Sequence, residues 1–354
     1  MKNLFSFMLI GAAVTAGLSA AAVAQDKLVK IDGSSTVFPA TEAVAEDFQK
    51  VNKGVKVTVG ISGTGGGFKK FCRGETDISN ASRPIMAEEM KLAKENGIEY
   101  IELPICFDAL TVAVNPKNTW CDTITVAELK KMWEPAAQGK VMKWSDVRAG
   151  WPEEKMELYG AGSDSGTFDY FTEAVVGKAK SSRGDFTGSE DDNVLVRGIE
   201  GSRNAIGYIP YAYFAPHASK MKAVKIMWEG KTPTAVEPSN DNVISGKYNP
   251  LSRPLFIYVN KKSAQEKDYV KKFVEYYLKH GSDLVKEVKY IPLPSEAYAM
   301  ASERFAAMKA GTGFGGVPEV GLPINDILRR EPTLTIKPGA DVKKDEPKKD
   351  EQKK

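Results

Sequence analysis

VKIDGSSTVFPATEAVAEDF, residues 29–48, decides the architecture. Val29 to Ile31 forms a short β-type run, GSSTVFPA supplies turn and capping residues, and Val44, Phe48 and Val51 then recur on one face at helical spacing. The unit repeats at once. Val55 to Val59 reads as a strand, SGTGGGF as a turn, and Phe68, Phe71 and Cys72 as the apolar face of a helix. Asp77 and Ile78 begin a third extended piece, leading through Ser82, Arg83 and Pro84 to a helix that includes Met90 and stops near Gly97. Short strands alternating with amphipathic helices predict α/β layers.

Further along, LTVAVN (110–115) and LFIYVN (255–260) are two similar strands enclosing a long middle region. This layout predicts two α/β lobes joined by two crossing strands. One lobe is built from 25–112 plus 256–331 and the other from 113–255. Thr125 with Glu128 and Ser263 with Glu266 match the capping-box pattern for helix starts. The second of these helices carries Val270, Phe273, Val274 and Tyr277 inward and should close at Gly281. A last helix is expected over about Glu296 to Lys309. Trp133, Trp144 and Trp151 read as packing residues.

The two ends differ from this body. Residues 1–24 combine Lys2, an apolar stretch from Leu4 to Leu18 and the ending Ala22, Val23, Ala24, which is a secretory signal with cleavage expected after Ala24. The mature protein is then expected in the periplasm. Residues 332–354 turn to Lys, Asp, Glu and Pro, with little apolar surface to bury, and are expected to be a disordered charged tail. About 330 residues after the signal exceed what a single core usually holds, which favours two lobes. The formal net charge of +3 falls to +2 without Lys2, and no basic stripe is interleaved with aromatics, so nucleic acid is a poor partner. Cys72, Cys106 and Cys121 contain no CxxC unit, and His217 and His280 are the only histidines, so structural thiols are expected rather than a zinc site. No cofactor is implied.

Three segments share one chemistry: GSSTVFP (33–39), SGTGGGF (62–68) and SDSGTF (163–168). In each a strand ends, hydroxyl and glycine residues follow, and a helix begins. Free backbone N–H groups at the positive end of a helix dipole, with hydroxyl donors beside them, suit an oxyanion. Glycine lets that anion reach the backbone. Hydrogen bonds to a charged group contribute about 1.5 to 3 kcal/mol each, and micromolar binding requires about 8 kcal/mol in total. Ligand crevices in open α/β sheets lie at the carboxyl ends of strands, where these segments fall. Other chemistry fits poorly. GTGGGFKK lacks the Lys-Ser or Lys-Thr of a P-loop and GSDSG is not a GxSxG elbow. A secreted phosphatase or esterase using Ser165 is therefore the weakest alternative. Glu190, Asp191 and Asp192 read as an exposed acidic loop.

DGSSTVFPATEAVAEDF, VGISGTGGGFKKFCRGETDISNASRPI, FDALTVAVNP, TVAELKKMW, GAGSDSGTFDYFTEAV, SEDDNVLVRGI and NAIGYIPYAYF together resemble the phosphate-binding proteins of bacterial ABC phosphate importers, which have the type II periplasmic-binding-protein fold. The resemblance runs from about Val29 to Met300. It implies a non-enzymatic, monomeric protein that binds inorganic phosphate and hands it to a membrane permease. The alternatives are another oxyanion such as sulfate, or phosphate sensing. By position, the implied phosphate ligands are Ser35, Thr36 and the Val37 backbone, then Thr64, then Ser165, Gly166 and Thr167, with Ser62 nearby. Two departures stand out. Where some members carry a carboxylate that accepts the phosphate proton, this chain has Ser82. Where they carry an arginine four residues before the SGT serine, it has Ala161. Arg83 is the expected substitute cation, ahead of Arg183 and Arg197, and Asp164 the expected substitute acceptor.

Overall fold

The computed structural model describes residues 27–163, 165–189, 191–319 and 322–340. The expected signal segment, most of the charged tail, Asp164 and Glu190 lie outside the described residues.

The chain opens with β1 (Lys27–Gly33), α1 (Phe38–Val51), β2 (Val55–Ile61), α2 (Gly63–Phe71), β3 (Ile78–Ala81) and α3 (Ala87–Glu95), the three units that the sequence pattern predicts. Val44 and Phe48 of α1 are buried with Ala40 and Ala45, whereas Val51 is 66% exposed and falls outside the inward stripe. There follow β4 (Tyr100–Val114), β5 (Thr123–Thr125), α4 (Val126–Trp133), α5 (Trp144–Val147), β6 (Glu157–Ala161), α6 (Gly166–Val176), β7 (Thr187–Ser189) and α7 (Asp192–Gly201). Next come β8 (Ala205–Pro210), α8 (Tyr211–Phe214), β9 (Lys222–Ala223), β10 (Lys225–Met227), α9 (Asn240–Ile244) and β11 (Ser252–Asn260). The last elements are α10 (Lys261–Glu266), α11 (Asp268–Glu287), β12 (Ile291–Pro292), α12 (Ser295–Ala306) and α13 (Ile324–Arg329).

Among the described residues, ten strands form one sheet of order β2-β1-β3-β11-β4-β8-β6-β7, with β9 and β12 paired to β4 off that path. β1 is parallel to β2 and β3, and β6 is parallel to β7 and β8. β11 runs antiparallel to β3 and β4, as β4 does to β8. The two parallel groups are the cores of two lobes. β4 links them: its residues 100–109 pair with β11 and 110–114 with β8. All 15 residues of β4 are buried, as expected for a strand covered on both faces.

The crossings fall slightly outside the strands predicted for them. Leu255–Asn260 belongs wholly to the first lobe, paired with β3 and β4, and the chain returns just before it. There the Leu110 N–H donates to the Leu251 carbonyl at 2.8 Å and the Tyr248 hydroxyl to the Leu110 carbonyl at 2.9 Å.

Thr125 and Glu128 form their capping box at α4. Ser263 does not cap. Asn260 caps α10 instead, accepting from the Ser263 N–H, and the Ser263 hydroxyl donates to Asp77 Oδ1 at 2.8 Å. Gly281 does not end its helix, since α11 runs through it to Glu287. A Cβ there would stand 3.3 Å from the Tyr277 ring, so this glycine serves close packing rather than termination. The last expected helix, α12, ends at Ala306. Cys72, Cys106 and Cys121 are free and buried, and burial pushes the Cys72 and Cys121 thiols up to about 12. Trp133, Trp144 and Trp151 pack in the core.

Candidate functional site

Because β1, β2 and β3 are parallel, their carboxyl ends finish side by side, with Gly33 level with Ile61 on one flank and Asn80 on the other. The Ser34 N–H donates to the Asn80 carbonyl at 3.0 Å and the Ser62 N–H to the Gly33 carbonyl at 3.1 Å. Gly33 has φ of +145°, and a Cβ on it would stand 2.1 Å from the Asn80 oxygen, so only glycine fits. The start of α1, the start of α2 and Ser82 therefore share one edge of the first lobe.

At that edge the Ser34 carbonyl accepts from the N–H groups of Val37 and Phe38, at 3.2 and 3.1 Å. Val37 is thus the N-cap of α1 and its backbone donor is used inside the turn. Thr36 is held by its carbonyl, which accepts from the Tyr290 hydroxyl at 2.6 Å. Its own hydroxyl is buried and has no hydrogen-bond partner. Thr64, at the start of α2, and Ser82, just after β3, meet each other. Their hydroxyls lie 2.9 Å apart, and the Ser82 N–H donates to Thr64 Oγ1 at 3.2 Å.

The second lobe contributes the turn from β6 to α6. Ser165 caps α6, its hydroxyl accepting from the Thr167 N–H at 3.1 Å, and the first helical residue, Gly166, faces the first lobe. Thr36 Oγ1 lies 1.9 Å, and Ser35 Oγ 2.9 Å, from where a Cβ on Gly166 would sit. Ser35, Thr36, Ser165, Gly166 and Thr167 line one cavity of about 470 Å³ between the lobes, which also reaches Asp108 of β4 and Lys289. Five of the expected ligand residues are therefore brought together there, and Thr64 with Ser82 forms a second pair at the same sheet edge.

Arg83 lies beside the start of α2, its Nη2 3.8 Å from where a Cβ on Gly65 would sit, and it shares a cavity with Ser82 while being held in an ion pair. Its guanidinium fork is bound to both carboxylate oxygens of Glu89, at 2.8 and 2.9 Å, lies 5.6 Å from the centroid of the Phe68 ring, and borders a separate cavity of about 290 Å³. Arg183 is buried in the second lobe against Asp185 and backbone carbonyls, and Arg197 is exposed on α7. Asp191 caps α7. His217 pairs with Glu200 at 2.8 Å and His280 packs on the Tyr276 ring, so neither reaches Ser165 to form a nucleophilic pair. Among the described residues no group of acidic, cysteine and histidine side chains is arranged to hold a metal, and no helix is long and apolar enough to cross a membrane.

Sequence reasoning missed Asp108 and Arg253. Asp108 is 3% exposed in the middle of β4, and Arg253 of β11 faces it at 3.5 Å. Arg253 also lies 3.6 Å from the centroid of the Tyr170 ring. Burial pushes the Asp108 carboxyl above its ordinary range, and Arg253 pulls it partly back. A signal was present in FDALTVAVN, a carboxylate inside an apolar run where none is expected without a partner.

Hydroxyls, helix N-termini and an unpartnered buried donor at a lobe interface suit a small anion better than an apolar or polymeric ligand. Comparison with known proteins agrees. A family model described as a PBP superfamily domain matches residues 17–280. The chain is 49% identical over 310 residues to Protein SphX of Synechococcus elongatus, spanning 88% of this chain and 90% of that protein. It is 38% identical over 273 residues to Phosphate-binding protein PstS of Staphylococcus saprophyticus, spanning 76% and 82%. Among solved structures, that of a possible phosphate binding protein from Planctomyces limnophilus is 50% identical, with a TM-score of 0.74, and the match covers 79% of this chain and 98% of that one.

Proposed function

This chain belongs to the PBP superfamily as a PstS-like phosphate-binding protein, and from that premise we propose that it captures inorganic phosphate between its lobes and delivers it to the membrane permease of an ABC importer. The observation that carries the reading is the meeting of Thr36 with Gly166 across the cleft, beside a buried Thr36 hydroxyl that lacks a partner. An oxyanion entering there would take that hydroxyl, the Ser35 and Ser165 hydroxyls and the N-terminus of α6, with Thr64 and Ser82 contributed from the start of α2 and the end of β3. Because these donors come from both lobes, the ligand stabilises the closed arrangement over an open one. Tight closure is what a permease would recognise. The protein acts in this reading as a monomer, by binding alone, in the periplasm after removal of residues 1–24.

Calorimetric titration of the mature protein tests the proposal. Phosphate binding with one site per chain, and with sulfate at least about tenfold weaker, is the expected result. No heat with phosphate, or tighter binding of sulfate at neutral pH, would overturn it.

A further inference from the structure

We propose that Asp108 is the group that accepts the proton of hydrogen phosphate, with Arg253 as its counter-charge, and that this pair beside the crossings gives the site its preference for phosphate over fully deprotonated anions. The inference rests on the phosphate reading above and concerns the one role that the first lobe leaves unfilled, since Ser82 stands where a carboxylate would serve.

Four observations converge on Asp108. First, it lines the same interlobe cavity as Ser35, Thr36, Ser165, Gly166 and Thr167. Second, its carboxylate is poorly satisfied. Among the described residues its only side-chain hydrogen bond is the 3.5 Å contact to Arg253 Nη2, at the outer limit of such bonds. A buried carboxylate with so little support has lone pairs to offer a donor. Third, Arg253 is itself incompletely used, because its Nε is buried without a partner. Fourth, among the described residues the other carboxylates lining this cavity are Asp192 and Glu287, and neither is buried as Asp108 is. Asp32 accepts from the Ser62 hydroxyl and from Lys70. Glu287 is exposed and Asp192 sits at the start of α7.

The groups facing Asp108 agree with this role. Arg253 approaches from β11, with Tyr170 of α6 stacked on its far side, and Tyr290 and Lys289 come from the segment between α11 and β12. At neutral pH phosphate still carries a proton and can donate it in a hydrogen bond to Asp108. Sulfate and fluorophosphate, tetrahedral dianions with no proton, would instead set two acceptors against each other. The position beside the crossings also links selectivity to closure, because β4 joins the lobes and the returning chain enters β11 just before Arg253.

The test is isothermal titration with phosphate, sulfate and fluorophosphate at neutral pH. It compares the wild-type protein, Asp108→Asn, and the double variant Asp108→Asn with Arg253→Gln, which leaves no buried charge unpaired should the single variant fold poorly. The wild type should prefer phosphate over both dianions by more than about tenfold. In whichever variant folds, shown by an unchanged circular dichroism spectrum, that preference should collapse to within about threefold. Retention of the full preference in a folded variant, or a wild type that binds fluorophosphate as tightly as phosphate, would overturn the assignment. A wild type that binds phosphate but behaves in one of these two ways leaves the phosphate reading standing. One that binds none of the three anions removes both.

Discussion

Gly166 of the second lobe lies so close to Thr36 of the first that a methyl group at residue 166 would stand 1.9 Å from Thr36 Oγ1. Contacts this short between backbone and side chain leave no room for relaxation, so the glycine sets how far the lobes can close. Gly166→Ala should therefore weaken phosphate binding by more than about tenfold. The thermal midpoint without ligand should fall by no more than a few degrees, because a small rotation between the lobes relieves the clash. Calorimetric titration combined with a melt separates the two effects.

The Thr36 hydroxyl predicts opposite signs for stability and binding. It is buried and has no hydrogen-bond partner, and leaving a buried polar group unsatisfied costs about 1 to 3 kcal/mol. Thr36→Val keeps the shape and removes the orphan. The unliganded protein should be as stable as wild type or up to about 1 kcal/mol more so. Phosphate affinity should fall by about tenfold or more, since a contact to a charged ligand is lost. Denaturant melts with and without phosphate would show both.

Arg83 and Glu89 form a two-pronged ion pair whose side chains are only 21% and 14% exposed. If the fork stays with Glu89 in the bound protein, Arg83 holds the loop after β3 rather than the anion. Arg83→Ala and Glu89→Ala should each destabilise the protein, and the double variant should cost less than their sum, with a coupling of about 1 to 3 kcal/mol. Phosphate affinity in Arg83→Ala should change by less than about threefold. A loss beyond about tenfold would instead place the guanidinium on the ligand.

Much of this was legible in the sequence. Periodicity located α1, α2 and β1 to β3, and the strand-turn-helix composition placed Thr36, Thr64 and Ser165 at helix starts, because local backbone chemistry determines both. Pairings that arise only in three dimensions were not legible. Nothing near Arg83 in sequence announces that Glu89, six residues on, will occupy its fork. Nothing near Asp108 announces that Arg253 will face it from a strand joined to the chain 145 residues later. The Ser263 box failed for a similar reason, since its hydroxyl found a tertiary partner in Asp77 that local pattern could not foresee.

Arg183 and Asp185 give the second lobe an acid-sensitive element. Arg183 is 1% exposed, and its guanidinium donates to Asp185 at 2.5 and 2.8 Å. Those bonds first, then one from the Gly139 N–H, pull the Asp185 carboxyl down to about 2. Its folded value lies below the unfolded value of about 3.9. The stabilisation is therefore complete above about pH 4 and is lost as pH falls through about 2. Asp185→Asn should remove this dependence. It should also cost about 3 kcal/mol at pH 7 by leaving a buried guanidinium uncompensated. Denaturant melts at pH 7 and pH 3 would show a variant whose deficit shrinks as the solution is acidified.

Lys289, two residues beyond the end of α11, has φ of +70°, a left-handed conformation that side chains with a Cβ resist. The Tyr290 N–H returns to the Val285 carbonyl at 2.9 Å and the Lys289 N–H to the Lys286 carbonyl at 3.0 Å, which is a helix stop usually filled by glycine. Lys289 also lines the interlobe cavity. A strained cation kept at the edge of an anion site suggests that charge is retained there at the expense of stability. Lys289→Gly should raise stability by about 1 kcal/mol. At low salt it should also slow phosphate association by severalfold, an effect that fades as ionic strength rises. Stopped-flow fluorescence at two salt concentrations, beside a thermal melt, measures both. A variant that gains stability with no change in association rate would make Lys289 a purely structural residue.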